Sequence, residues 1–222
     1  MIANGAIWAI AALSTVGVIV RPWKLPEAIS AVAGAFMLIV FGLLAWSDAL
    51  KAVAKGTDLY LFLSGMMLLA ELARTEGLFD FLAGLAARLA GGSATMLFTL
   101  VYGVGAVVTV FMSNDATAVV LTPAVFAATK ATKVKDPLPD LLICAFIANA
   151  ASFVLPISNP ANLVIFREHV PPLLQWLGRF ALPSLLSIAV TYAVLWFTQR
   201  DSLCQEVITA EVDIPGLPAV AA

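Results

Sequence analysis

Two near-copies of one polar tetrapeptide lie inside otherwise oily sequence: Ser113-Asn114-Asp115-Ala116 and, 45 positions on, Ser158-Asn159-Pro160-Ala161. Apolar runs flank both, so each places polar groups where water is scarce. In lipid every backbone N–H and C=O needs an internal partner, and irregular backbone survives only where protein buries it or where it lines a wet cavity. A chain with two such interruptions has few folds open to it. Paired discontinuous helices, with half-helix ends meeting near the middle of the bilayer, are how secondary transporters build substrate and ion sites. The pattern predicts a transporter, or half of one.

Composition agrees. Hydrophobic residues make up 62% of the 222 and charged residues only 12%, with a mean hydropathy of +1.00. A soluble domain carries about a quarter charged residues, so the expected fold class is all-α, in a polytopic membrane protein. The net charge of -2 gives no reason to expect a nucleic-acid partner. Cys144 and Cys204 form neither a metal nor a disulfide pattern, and His169 has no second ligand nearby, so no metal or cofactor is expected. No nucleophile–base pair or phosphate loop appears, so an enzyme is not expected. The first apolar segment lacks a basic lead and a small-residue exit, so it reads as a retained helix rather than a cleaved signal.

Along the chain, Ile2 to Val20 reads as a first span, and a second runs from Leu25-Pro26-Glu27 to about Trp46. Asp48 to Thr57 reads as a polar connector, and Asp58 to about Ala73 as a third span. In Leu78 to Ala90, Leu78, Phe81, Leu82, Leu85 and Leu89 recur at helical spacing while Asp80 and Arg88 take another face. At about 20 Å by helical rise this segment is shorter than the roughly 30 Å hydrocarbon core, which suggests a helix lying on the membrane surface. The segment of about 94–129 reads as a re-entrant hairpin with its tip at Ser113-Asn114-Asp115, because its second arm is too short to cross alone. A broken helix follows over about 140–167, then a last span, Leu173 to Phe197. Trp176 and Trp196 are spaced along that span to suit aromatic belts at both interfaces. In all, about five spanning helices, one hairpin and one broken helix form a membrane domain over 1–198, and 199–222 is a polar tail or linker. Arg21, Lys24, Arg74, Arg88, Lys130, Lys133, Lys135 and Arg200 share one side of this topology, against Lys51, Lys55, Arg167 and Arg179. That bias places the hairpin feet and the tail in the cytoplasm.

The two breaks hold the candidate site. Asp115 is the only charged residue between Leu89 and Thr129, and an intramembrane acid is a functional candidate by default. Its role would be ion coupling; the alternative is an ordinary N-cap fixing the hairpin turn. Ser113, Asn114, Ser158, Asn159 and Asn162 can cap the helices that follow and also offer hydroxyl and amide groups to a substrate. Pro160 suits a first helical position, where its missing N–H costs nothing. Glu71 and Arg74, at i,i+3, read as a surface pair. Gly103, Gly105 and Ala106 read as close-packing positions.

The stretch Phe111-Met112-Ser113-Asn114-Asp115-Ala116-Thr117-Ala118-Val119-Val120-Leu121-Thr122-Pro123 resembles the hairpin signature of the arsenical pump membrane proteins, a family of the ion transporter superfamily. Ile147 to Leu163, centred on Pro156-Ile157-Ser158-Asn159-Pro160-Ala161-Asn162, resembles the broken helix that follows it there. Dicarboxylate carriers of the superfamily commonly show Ser-Asn-Thr and Gly-Thr-Pro-Pro-Asn at these places, and those departures favour the arsenite branch. The resemblance implies efflux of arsenite or antimonite across a bacterial cytoplasmic membrane, driven by protons or the membrane potential or coupled to a soluble pump ATPase. It also implies two inverted repeats, of which this chain holds one copy, so a second repeat or a homodimer is an expected partner alongside the lipid bilayer. The rival readings are a sodium/proton antiporter or dicarboxylate transporter of the same superfamily, and a non-transporting subunit or inactive fragment.

Overall fold

The computed structural model describes residues 2–132, 134, 136–166 and 169–204. Lys133, Lys135, Arg167, Glu168 and the tail from 205 onward, on which parts of the expected topology fall, lie outside the described residues. The protein is an all-α membrane protein, and among the described residues it contains no strand. Among the described residues three stretches are long and apolar enough to cross a membrane: Trp46–Thr75, Ala94–Phe111 and Leu173–Leu203. The chain divides into two compact units, 1–60 and 61–222.

In the first unit α1 (Ile2–Val20) packs along α2 (Glu27–Val40). Between them Pro22–Lys24 forms a 3₁₀ turn, and Arg21 pairs with Glu27 across it. Two expectations need correction here. The second helix ends at Val40 rather than Trp46, because residues 41–45 form a turn with Gly42 at φ +65°. The supposed polar connector is itself helical, α3 (Trp46–Lys55). Trp46, Ala49, Leu50 and Val53 recur at helical spacing there and give it an apolar stripe.

The second unit carries the breaks. After α4 (Thr57–Thr75), α5 (Leu78–Leu89) and α6 (Ala94–Phe111) are joined through Gly91 and Gly92, both at positive φ, a conformation that glycine adopts without a Cβ penalty. Unlike the expected surface helix, α5 packs against its neighbours. Its buried face is Phe79, Ala83, Gly84, Ala86 and Ala87, set on α6 and α7 (Thr122–Ala131). Small side chains let backbones approach closely, so this face is covered, while the leucine stripe is left partly exposed.

Next, α8 (Leu138–Ala150) runs beside α6. At their crossing a Cβ on Gly105 would lie 2.8 Å from Ile147 Cγ2, so this glycine is a close-packing position as expected. Gly103, in contrast, faces open space. The fully buried Leu97, Phe98, Val101, Leu121, Val125, Ile143 and Ile147 form the core between α6, α7 and α8.

The short α9 (Pro160–Ile165) leads to α10 (Leu173–Leu203), which continues six residues beyond the expected end of the last span. Trp176 is not a belt residue: it is fully buried, donates Nε1–H to Phe153 O at 3.1 Å, and stacks with Phe166 and Phe180.

Hydrogen bonds fix the direction of α10. Thr95 reaches Leu203 O, Thr99 meets Tyr192, and Tyr102 donates to Ile188 O, so α10 runs antiparallel to α6. Ser202 Oγ donates to Asp136 Oδ2 at 3.2 Å. Residues 95 and 136 are therefore held at the same end of α10, and the chain between them goes out and comes back.

Candidate functional site

At the far point of that excursion α6 ends and the backbone breaks. Ser113 sits at φ +152°, a region that residues other than glycine seldom occupy. Its Oγ accepts from Ala116 N–H at 3.3 Å, so Ser113 serves as the cap of the returning arm. Asp115 makes no capping hydrogen bond and already has helical φ and ψ. The ordinary-cap alternative for this acid is therefore not what the geometry gives.

The returning arm is α-helical only at Asn114 and Asp115 before it widens. Ala116–Leu121 is π-helical, immediately ahead of Pro123. Proline has no N–H to give to the carbonyl four residues back and its ring crowds that carbonyl, which accounts for a widened turn at this place. Thr122 Oγ1 donates to Ala118 O at 2.7 Å and occupies part of the freed acceptor set. Single-turn π segments recur at functional sites. Pro123 was the sequence signal for this one, and apolar periodicity alone did not reveal it. Across the break the buried hydroxyls of Thr109 and Thr117 meet at 2.7 Å and pin the two arms together.

The second break spans residues 151–159. Pro156–Ser158 makes one 3₁₀ turn, and Asn159 caps α9 with Oδ1 accepting from Ala161 N–H at 2.9 Å, with Pro160 in the first turn. Ser158 is fully buried. Its Oγ donates to Val110 O at 2.7 Å and accepts from Leu155 N–H at 3.3 Å. Val110 lies in the last turn of α6, where carbonyls have no helical partner, so Ser158 joins the second break to the first. Asn162, 1% exposed, donates Nδ2–H to Ser152 O at 3.0 Å and to Leu155 O at 3.4 Å.

Two carbonyl oxygens at these breaks, Asn114 Oδ1 and Asn162 Oδ1, are buried without a hydrogen-bond partner among the described residues. Native proteins satisfy nearly all such atoms, and each unmet acceptor is a place for a ligand donor or a water.

A cavity of about 310 Å³ opens at the junction, lined by Met66, Met67, Glu71, Ser113, Asp115, Val119 and Pro160 among others. Of the six residues singled out from sequence, Ser113 and Asp115 line it, and Pro160 brings the second break to its wall. Asn114, Ser158, Asn159 and Asn162 are not among its lining residues. The sequence reading missed Glu71 as a lining residue. It forms the expected i,i+3 pair with Arg74, at 2.8 Å from Nε, yet also borders the cavity that holds Asp115. The lining is otherwise largely apolar, and among the described residues no basic side chain belongs to it. Among the described residues no group of three metal-ligating side chains occurs.

Helices that break in pairs, touch at their breaks and enclose a cavity with an acid in it define a membrane transporter. The citrate transporter family (CitMHS) matches residues 8–208, and the chain belongs to that family. It is similar to the Escherichia coli arsenical pump membrane protein, 30% identical over 169 residues, which is 74% of this chain and 38% of that one. A Bacillus subtilis (strain 168) protein provisionally named an arsenical pump membrane protein is 26% identical over 198 residues, 88% of this chain and 44% of its own length. The uncharacterized transporter YfbS of Escherichia coli (strain K12) is 28% identical over 142 residues, 64% of this chain and 23% of that one. The chain spans less than half the length of these relatives. No solved structure gives a significant match.

Proposed function

We propose that this chain is the first repeat of a secondary transporter that exports arsenite or antimonite across a bacterial cytoplasmic membrane. The observation carrying the proposal is the Ser158–Val110 tie, which joins the two breaks at a cavity lined by Asp115. In this reading residues 94–129 form a re-entrant hairpin and the chain acts with a second repeat, or with a second copy of itself. Arsenous acid is small and mostly neutral near neutral pH, so it wants hydrogen bonds rather than a counter-charge. The substrate-binding set is Ser113, Asn114, Ser158, Asn159 and Asn162: Ser113 lines the cavity as it stands, and the unmet oxygens of Asn114 and Asn162 serve as acceptors for substrate hydroxyls once the two breaks part. Ser113, Ser158 and Asn159 hold the unwound backbone open around it. Asp115 is the coupling residue for a proton, or for sodium, and a soluble pump ATPase is a further partner.

Arsenite uptake into everted vesicles tests this. In an assembly supplied with the second repeat, Asp115→Asn abolishes proton-driven uptake, and unchanged uptake removes Asp115 from the mechanism. The family's description favours a second reading, transport of citrate or another carboxylate. A multiply charged anion would face Glu71 and Asp115 with no cation among the described residues of the cavity wall, and the electrostatics disfavour that. Citrate uptake by the same vesicles, unaffected by arsenite, would select it instead.

A further inference from the structure

One buried acid has no part in that site. Asp140 stands in the first turn of α8, 3% exposed, on the face that also carries the fully buried Ile143, Cys144 and Ile147. Its Oδ1 has no hydrogen-bond partner among the described residues. The elements packed on α8 are α6, the π-helical segment, α7 and α10, and none of their described side chains brings a cation to it. Lys130 of α7 is exposed. The Arg200 and Asp201 side chains of α10 are 56% and 99% exposed. Tyr102 of α6 gives its hydroxyl to Ile188 O, and Tyr192 of α10 bonds to Thr99. The π-helical segment has no ionisable side chain.

Asp136, four residues earlier, is itself an acid and accepts from Leu138 N–H and Ser202 Oγ. Cys144, whose Sγ lies 3.8 Å from Asp140 O, is the other titratable neighbour. Lysines 133 and 135 lie outside the described residues. A carboxylate without a counter-charge in such surroundings loses its hydration and gains nothing in return. The neutral acid carries no such burden and offers an O–H donor.

Asp140 also lies where the excursion is anchored, beside the Asp136–Ser202 tie and at the same end of α10 as the Thr95–Leu203 tie. We propose that Asp140 is a proton-binding site that keeps this foot of the hairpin closed. The carboxylic acid is the form that fits the packing. When the foot opens, its O–H bond breaks, the proton passes to water and a carboxylate remains, which must be reprotonated before the foot closes again. This deepens the proton-coupled reading by adding a second acid at the opposite end of the hairpin from Asp115.

The test uses the full chain in lipid nanodiscs with Cys204→Ser, leaving Cys144 as the single thiol one turn from Asp140. Labelling by an uncharged maleimide is measured against pH, each rate divided by that of the unfolded chain at the same pH. The normalised rate should rise about tenfold per pH unit while the acid titrates, and Asp140→Asn should remove the slope. A flat profile in the parent, or a slope that survives Asp140→Asn, overturns the proposal. Infrared spectroscopy provides a second readout, in an Asp115→Asn background: a protonated-carboxyl stretch at neutral pH that loses intensity when Asp140→Asn is added. A band of equal intensity with and without Asp140→Asn also overturns it. If Asp140→Asn does not fold, Asp140→Ser replaces it, and the parent's slope alone still decides. Neither readout involves arsenite, so their failure leaves Asp115 untouched and a failed uptake assay leaves them standing.

Discussion

Replacing Ser158 by alanine removes a hydroxyl that ties the second break to the end of α6. The hydroxyl makes two hydrogen bonds, to Val110 O at 2.7 Å and from Leu155 N–H at 3.3 Å, and the residue is fully buried. Val110 O has no alternative partner in its helix, because the residue four places on lies beyond the break. Stranding a buried backbone group costs about 1–3 kcal/mol. Val110 O should bear the full cost, and Leu155 N, with its longer bond, less, giving a total of roughly 3 kcal/mol. For a chain of this size that is about 6–12 °C in melting temperature. The assay is a thermal scan of the purified protein in a background where the other four tryptophans are phenylalanine, followed by the emission of Trp176, whose indole is bonded to Phe153 O inside the same break. Asn159→Ala is the comparison: it loses the single cap bond to Ala161 N–H, worth about 1 kcal/mol. If Ser158→Ala melts no lower than Asn159→Ala, Ser158 is not the tie between the breaks, and the argument for a joined site fails with it.

Other outcomes follow from the same packing. Thr109→Val and Thr117→Val each remove the 2.7 Å hydroxyl pair but leave the surviving hydroxyl a backbone acceptor, Ser113 O for Thr117 and Gly105 O for Thr109, so each single change costs about 0.5–1.5 kcal/mol. The double variant should cost clearly less than the sum, and a thermal double-mutant cycle showing simple additivity would contradict the pairing. Gly105→Val drives a side chain into Ile147 and should destabilise by about 1–3 kcal/mol. Adding Ile147→Ala should recover part of that loss, and no recovery would locate the clash elsewhere.

Much of this architecture was legible because apolar periodicity and end signals are local. α1 has its expected bounds, and α4 and α5 lie within two residues of theirs. The end of α2 was missed because Leu43 and Leu44 prolong the apolar run, while the turn is made by Gly42 adopting positive φ, which composition does not signal. Trp176 was misplaced because its distance from Trp196 suits an interfacial belt, whereas its partners Phe153, Phe166 and Phe180 are gathered only by the tertiary fold. At the site, the two motifs were visible as polar interruptions, but the division of labour within them was not. Sequence offers Ser113 and Asp115 equally as caps, and only the backbone conformation assigns the cap to Ser113. Glu71 was read as a surface acid because its i,i+3 arginine explained it fully, with no hint of the cavity on its other side. Asp140 was not singled out, since its burial comes from the tertiary packing around α8 and not from any local pattern.

The length of α10 has a mechanical consequence. This single rod is bonded near one end to Phe153 in the second break and, at the other, to the points where the hairpin departs and returns. Both loops are thereby lashed to one spar, so neither can swing without carrying the other. Relative motion between them has to come from bending the spar itself, and Pro183, about a third of the way along, is where its backbone is already missing a bond.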